Sequence, residues 1–376
     1  MIPSFVKRFI PFFLICFMTY QAGAETVPGL ADSLEKAKKH FSFAVQYKNN
    51  ENYEEAIKNY EMSLAFNDTV FQVHYSFADM LLKMSRTNEA KRELLSTLML
   101  NPDHFKSAAL LSGLYHKVAQ YDSALVMYET MYRLKPDSLA YLSNIAGLSA
   151  YLELHDKALA AYRELIRKGE NTFDNYLRAS QHAEKTGDMK LADELVLQAL
   201  KKQPDDTTAL QTAASISMAR DNTKSVIDYQ QRLVVLNPSD QVLLYNLEQL
   251  SRKHGGNDQL IWVFKERIRR SPKDIALIGE LAELQLHEGQ TTEGIETIMT
   301  GLAVSPGDGK LHILLGDHYM KQGDTEKALA EFNIALKDER WRQDALQFIG
   351  MINRPESETE KEEREFLERG TTTNPQ

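Results

Sequence analysis

The stretch YDSALVMYETMYRLKPD, residues 121–137, sets a tyrosine three positions before an alanine, a second tyrosine four positions after it, and closes on Lys-Pro-Asp. Steps of 34 residues from Ala124 meet Ala56 and Ala90 on one side and Ala158, Ala192, Val226, Leu260, Gly294 and Ala328 on the other. Six of these nine positions are alanine and one is glycine. The same step from Pro136 runs through Asp68, Pro102, Glu170, Pro204, Pro238, Pro272, Pro306 and Arg340, taking six of the chain's 11 prolines. Twelve residues before each alanine lies a third series, Ala44, Ala78, Ser112, Ala146, Ser180, Ala214, Glu248, Ala282 and Gly316, small at eight of nine positions. Four residues after it lies a fourth, Tyr60, Leu94, Tyr128, Tyr162, Val196, Gln230, Phe264, Ile298 and Phe332, large and mostly apolar. No insertion interrupts the period between residues 37 and 342.

The pattern predicts a helical hairpin. Each unit holds two segments with apolar residues at helical spacing, separated by a short polar break such as KTGDMK or KQGDTE. Gly187 and Gly323 in those breaks suit a helix end where φ turns positive. A proline near the end of a unit cannot continue a helix and so stops the second one. Small residues belong where the helices cross, and the bulky residue one turn on fills the space they leave. Period, small-residue positions and terminal proline together resemble the tetratricopeptide repeat family. The resemblance implies an all-α fold, a right-handed α-solenoid of stacked hairpins, with nine repeats at 37–70, 71–104, 105–138, 139–172, 173–206, 207–240, 241–274, 275–308 and 309–342.

The ends read differently. Lys7 and Arg8, the apolar run from Phe9 to Met18 and the Ala22-Gly23-Ala24 site mark residues 1–24 as a secretory signal peptide, the alternative being an uncleaved anchor. Residues 25–36 read as a linker, 343–369 as a degenerate tenth repeat or capping helices, and 370–376 as a disordered tail. Without the leader the chain carries 42 basic and 53 acidic residues, a net charge of −11, and no cysteine. An acidic balance argues against nucleic acid, and an exported chain without disulfides must cohere by apolar packing. Repeat seven breaks the pattern: Glu248 takes a small-residue position, Leu260 replaces the alanine and Gly255-Gly256 fills the turn, so a looser hairpin that serves as a bend is expected.

No catalytic constellation is legible. There is no phosphate-binding Gly-x-x-x-x-Gly-Lys-Ser/Thr loop, no Gly-x-Ser-x-Gly elbow and, beyond the leader, no cysteine for thiol or zinc chemistry, and the ten histidines are scattered. Neither an enzyme activity, a metal nor a cofactor is expected. The resemblance implies instead a concave groove lined by repeat positions 2, 5, 9 and 12. Repeats three and four put very small residues there, Ala109, Gly113, Ala140, Ser143 and Gly147. Phe41 and Tyr75 flank that trough on one side, Leu177 and Tyr245 on the other, as anchors for a peptide or helix. The lysine and asparagine positions of the family's two-carboxylate clamp hold Phe41, Tyr75 and Ala109, and Val45, Asp79 and Gly113, so that clamp is absent. The expected function is an exported protein-binding scaffold, in the periplasm or cell envelope, for assembly of an envelope complex. Its partner is a protein segment rather than nucleic acid, membrane contact comes only through partners, and the oligomeric state is open. The alternative is an accessory module that holds a glycan-synthesis or cell-wall enzyme or binds the glycan itself.

Overall fold

The computed structural model describes residues 30–354, and among them all regular structure is α-helical. The chain divides after Gln198 into two compact units. The first holds α1 (Leu30–Asn49), α2 (Tyr53–Phe66), α3 (Phe71–Lys83), α4 (Thr87–Leu100), α5 (Phe105–Lys117), α6 (Tyr121–Leu134), α7 (Leu139–Tyr151), α8 (His155–Arg167) and α9 (Phe173–Thr186). The division falls within α10 (Met189–Lys202). The second holds α11 (Thr207–Ala219), α12 (Thr223–Leu236), α13 (Gln241–His254), α14 (Asn257–Arg270), α15 (Ile275–His287), α16 (Thr291–Val304), α17 (Gly309–Lys321), α18 (Thr325–Ala335) and α19 (Arg342–Asn353). From Phe71 to Gly309 the odd-numbered helices begin 34 residues apart, as do all the even-numbered ones from Tyr53 to Thr325.

The crossing points explain the spacing. Ala44, Ala78, Ala146, Ala282, Ala56, Ala90, Ala124, Ala158, Ala192 and Ala328 are all inaccessible to solvent, and the fillers Tyr60, Leu94, Val196, Ile298 and Phe332 with them. In the first hairpin Tyr60 stacks on Phe77 at 5.0 Å and its hydroxyl meets Ser76 Oγ at 2.6 Å, which satisfies a phenol that burial pushes above its ordinary pKa.

The turns between paired helices share one conformation. Gly187, Gly289 and Gly323 have positive φ, and so do Glu51, Ser85, Ala119, Glu153 and Asp221 at the same repeat position. Non-glycine residues pay roughly 1–2 kcal/mol to sit there, so Ala119→Gly, at φ 56°, is expected to gain about 0.5–1 kcal/mol, measured by urea unfolding. Gly255 of repeat seven is the exception, at φ −81°. A Cβ there would lie 2.7 Å from the Ser251 carbonyl oxygen, so glycine is required for close approach and not for handedness.

Repeat seven is looser, as its sequence implies: α13 and α14 approach less closely than α11 and α12 or α15 and α16. A cavity of about 260 Å³ opens at its turn, bounded by Lys224, Ile227, Asp228, His254, Gly255, Gly256 and Gln259. Glu248 is nonetheless buried, its carboxylate taking a bond from Arg267 at 2.6 Å and one from Arg252 at 3.0 Å. Arg252 also reaches Glu280 at 2.6 Å and lies 4.9 Å over the Phe264 ring.

The amino-terminal linker is shorter than expected, because helix begins at Leu30 and takes in residues 30–36. A bond from Ser33 Oγ to the Phe66 carbonyl holds that extension against α2, and Ser63 Oγ donates to the Ala37 carbonyl just after it, each at 2.8 Å. At the other end α19 supplies the first helix of the expected tenth unit, with Ala345 buried and Phe348 stacked on Phe332 at 4.9 Å. The expected signal peptide 1–24, the second cap helix and the tail lie outside the described residues.

Candidate partner-binding face

The face built from α1, α3, α5 and α7 carries most of the trough residues. Gly113, Ala140, Ser143 and Gly147 are exposed and Ala109 half-buried. A Cβ built on Gly113 or Gly147 would meet nothing within 4 Å, so the two glycines front open space rather than a neighbouring helix. Local sequence sets this up: Leu142, Ile145, Ala146, Leu148 and Ser149 turn inward on α7, which leaves Ala140, Ser143 and Gly147 on the opposite arc.

The flanking anchors are partly tied into the fold. Phe41 packs on the first core cluster, 6.2 Å from the Tyr60 ring, and lines a cavity of about 140 Å³ with Leu34, Ala37, Lys38, Val70 and Val73. Tyr75 is half-buried with its ring edge-on to His104 at 4.6 Å; burial, then the nearby Asp79 carboxylate, raises its phenol. Burial, and then Lys106, lowers His104, whose Nδ1 accepts from the Ser107 N–H at the start of α5. Lys48 bridges α1 to α3 through Asp79 Oδ2 at 3.2 Å, so charge on this face is already matched at that edge.

One expected flanking residue changes place. Leu177 is buried at 7 %, together with Ala179, Ser180 and Ala183, because α9 lies close against α8. Its side chain belongs to the core and not to the trough. Tyr245 is 59 % exposed but stands on α13 in the second unit, beside the exposed Val242.

The sequence reading passed over an aromatic edge beside the trough. Tyr151 is exposed at the end of α7, its ring 4.8 Å from Tyr121, which in turn meets His116 at 5.4 Å. The signal was present in the position of Tyr151 next to Ala150, at the end of a helix whose other outward residues are small. Among the described residues no three histidine, cysteine or acidic side chains cluster as a metal site, and no helix is long and apolar enough to cross a membrane.

Stacked hairpins of fixed length with buried small residues at most crossings define a tetratricopeptide-like helical-repeat fold. No family model matches the sequence, and no curated protein matches it. Among solved structures the chain is similar to a tetratricopeptide repeat protein from Parabacteroides merdae, at 16% identity and TM-score 0.36 over 65% of this chain and 97% of that one. It is also similar to YrrB, a repeat protein with an unusual peptide-binding site, at 16% identity and TM-score 0.29 over 50% of this chain and 96% of that one. Pseudomonas aeruginosa PilF is a third, at 14% identity and TM-score 0.30 over 56% of this chain and 95% of that one.

Proposed function

We propose that the chain is a protein-interaction scaffold whose first unit docks a partner peptide or helix on the face of α3, α5 and α7. The observation that carries this is the open space before Gly113 and Gly147, bordered by the half-buried ring of Tyr75. A backbone can approach such a trough closely, and an aromatic at its rim gives it an anchor. The leader-like residues 1–24 favour a site of action outside the cytoplasm, in a periplasm or cell envelope, and in that reading the scaffold serves assembly of an envelope complex. The rings of His116, Tyr121 and Tyr151 meet at 73° and 74°, edge to face, and offer no coplanar platform for stacking a sugar, which favours a polypeptide over a glycan.

The test fills the trough without touching the core. Gly113→Arg and Gly147→Arg have room to be accommodated on the surface. Affinity capture from the source envelope should lose its specific partner with either variant at unchanged helicity, a drop of at least tenfold in recovery. Equal recovery by wild type and both variants removes the trough as the docking surface.

A further inference from the structure

Three repeats carry a histidine at their fourth position, His40, His74 and His312, and each faces the residue at position 23 of its own repeat. His74 Nδ1 lies 2.6 Å from Glu93 Oε2 and its Nε2 lies 2.9 Å from the Asp68 carbonyl oxygen. Seven repeats on, His312 Nδ1 lies 2.6 Å from Glu331 Oε2 and its Nε2 lies 2.9 Å from the Pro306 carbonyl oxygen. The milder pair, His40 with Asn59, is at 3.0 Å. In three other repeats both positions are apolar, Ala108 with Met127, Leu142 with Ala161, and Leu244 with Val263, and in the remaining three the pairs are mixed, Tyr176 with Leu195, Leu210 with Tyr229 and Ile278 with Thr297. The polar pair and the apolar pair are alternative fillings of one site in the hairpin.

Both nitrogens of His74 and of His312 face oxygen acceptors, and a neutral imidazole donates only one proton. Each ring is 93 % or more out of solvent, at 7 % and 5 % exposure, so water does not supply the missing donor. We propose that the His74–Glu93 pair is a proton-held clasp, in which a second ring proton ties the hairpin to Asp68, third from the end of the preceding repeat, and its release loosens that joint. The clasp joins α3 to α4 in the first unit; His312 and Glu331 share its geometry on α17 and α18.

The charged groups facing His74 are Glu93 on α4 and Asp68 in the turn before α3. Burial alone pushes the ring down, but the bonds to Glu93 and the Asp68 carbonyl and the two carboxylate charges outweigh it and hold the imidazolium above the ordinary histidine range. A folded pKa above the unfolded one means that the stabilisation is complete below about pH 6.5 and is lost as pH rises through the folded value.

Histidine-selective ¹⁵N spectra and amide hydrogen exchange of the purified chain test this between about pH 6 and about pH 9. The His74 ring should carry protons on both nitrogens at about pH 6. After correction for intrinsic exchange, protection of α3 and α4 should fall by up to about tenfold per pH unit between about pH 6.5 and the ring's folded pKa, the slope of one released proton, and level off above it. His74→Leu/Glu93→Val copies the filling of repeat seven, Leu244 with Val263, and should abolish that slope in α3 and α4. A single N–H on the His74 ring at about pH 6 overturns the proposal, with no variant needed. So does a slope that survives in the double variant.

Discussion

Replacing Arg252 and Arg267 together by methionine is expected to lower the stability of the second unit by about 3–5 kcal/mol, read as a lower urea midpoint at unchanged slope. The Glu248 side chain is 4 % exposed, whereas Arg252 and Arg267 are 40 % and 36 % exposed. Removal of the arginines strands a carboxylate in the core. Removal of the carboxylate leaves two guanidinium groups that reach water and keep Glu280 and Asp274 as partners. Glu248→Ala alone is therefore expected to cost about 1 kcal/mol or less, and adding it to the double arginine variant should recover most of the loss. An equal cost for the acid and for the arginines would show that the network is a surface ornament and not a buried charge with its counterions.

The same residue shows what sequence could and could not disclose. Glu248 stood out as a breach of the small-residue series, and the looser hairpin followed from it. The arginines that make the breach tolerable sit four and nineteen residues away, on two helices, and only the folded hairpin brings both to one carboxylate. Period and helix pairing were legible because each crossing point repeats its demand for a small side chain every 34 residues. The turn conformation was half legible: Gly187 and Gly323 advertised positive φ, while Glu51, Ser85, Ala119, Glu153 and Asp221 adopt it without glycine because helix packing on both sides imposes it. The trough glycines were readable from register, since an outward arc of small residues is a local property of α5 and α7. Leu177 was not, because its burial depends on how closely α9 meets α8, which no repeat-position rule contains. The histidine clasp was readable in principle. Its signal is a histidine at position 4 with a glutamate at position 23, visible only once the helices are known to oppose those positions.

Phe332→Ala is expected to cost about 3–5 kcal/mol, the range for emptying a fully buried aromatic site. The ring has no solvent exposure and stacks on Phe348 at 4.9 Å and 7°. It lies over Gly316, where a Cβ would stand 2.6 Å from Phe332 Cε1. Gly316→Ala alone must therefore push a ring that Phe348 holds from the other side, at about 1–3 kcal/mol. The two costs should not add. In Gly316→Leu/Phe332→Ala the new side chain occupies the volume the ring vacated, and a double-mutant cycle should return a favourable coupling of about 1–3 kcal/mol. That coupling is the physical content of the alternation between small residues at position 8 and large ones at position 24. If the cycle closes with no coupling, the alternation does not reflect one shared volume. The rule inferred from residues 121–137 would then describe spacing without describing what holds the hairpins together.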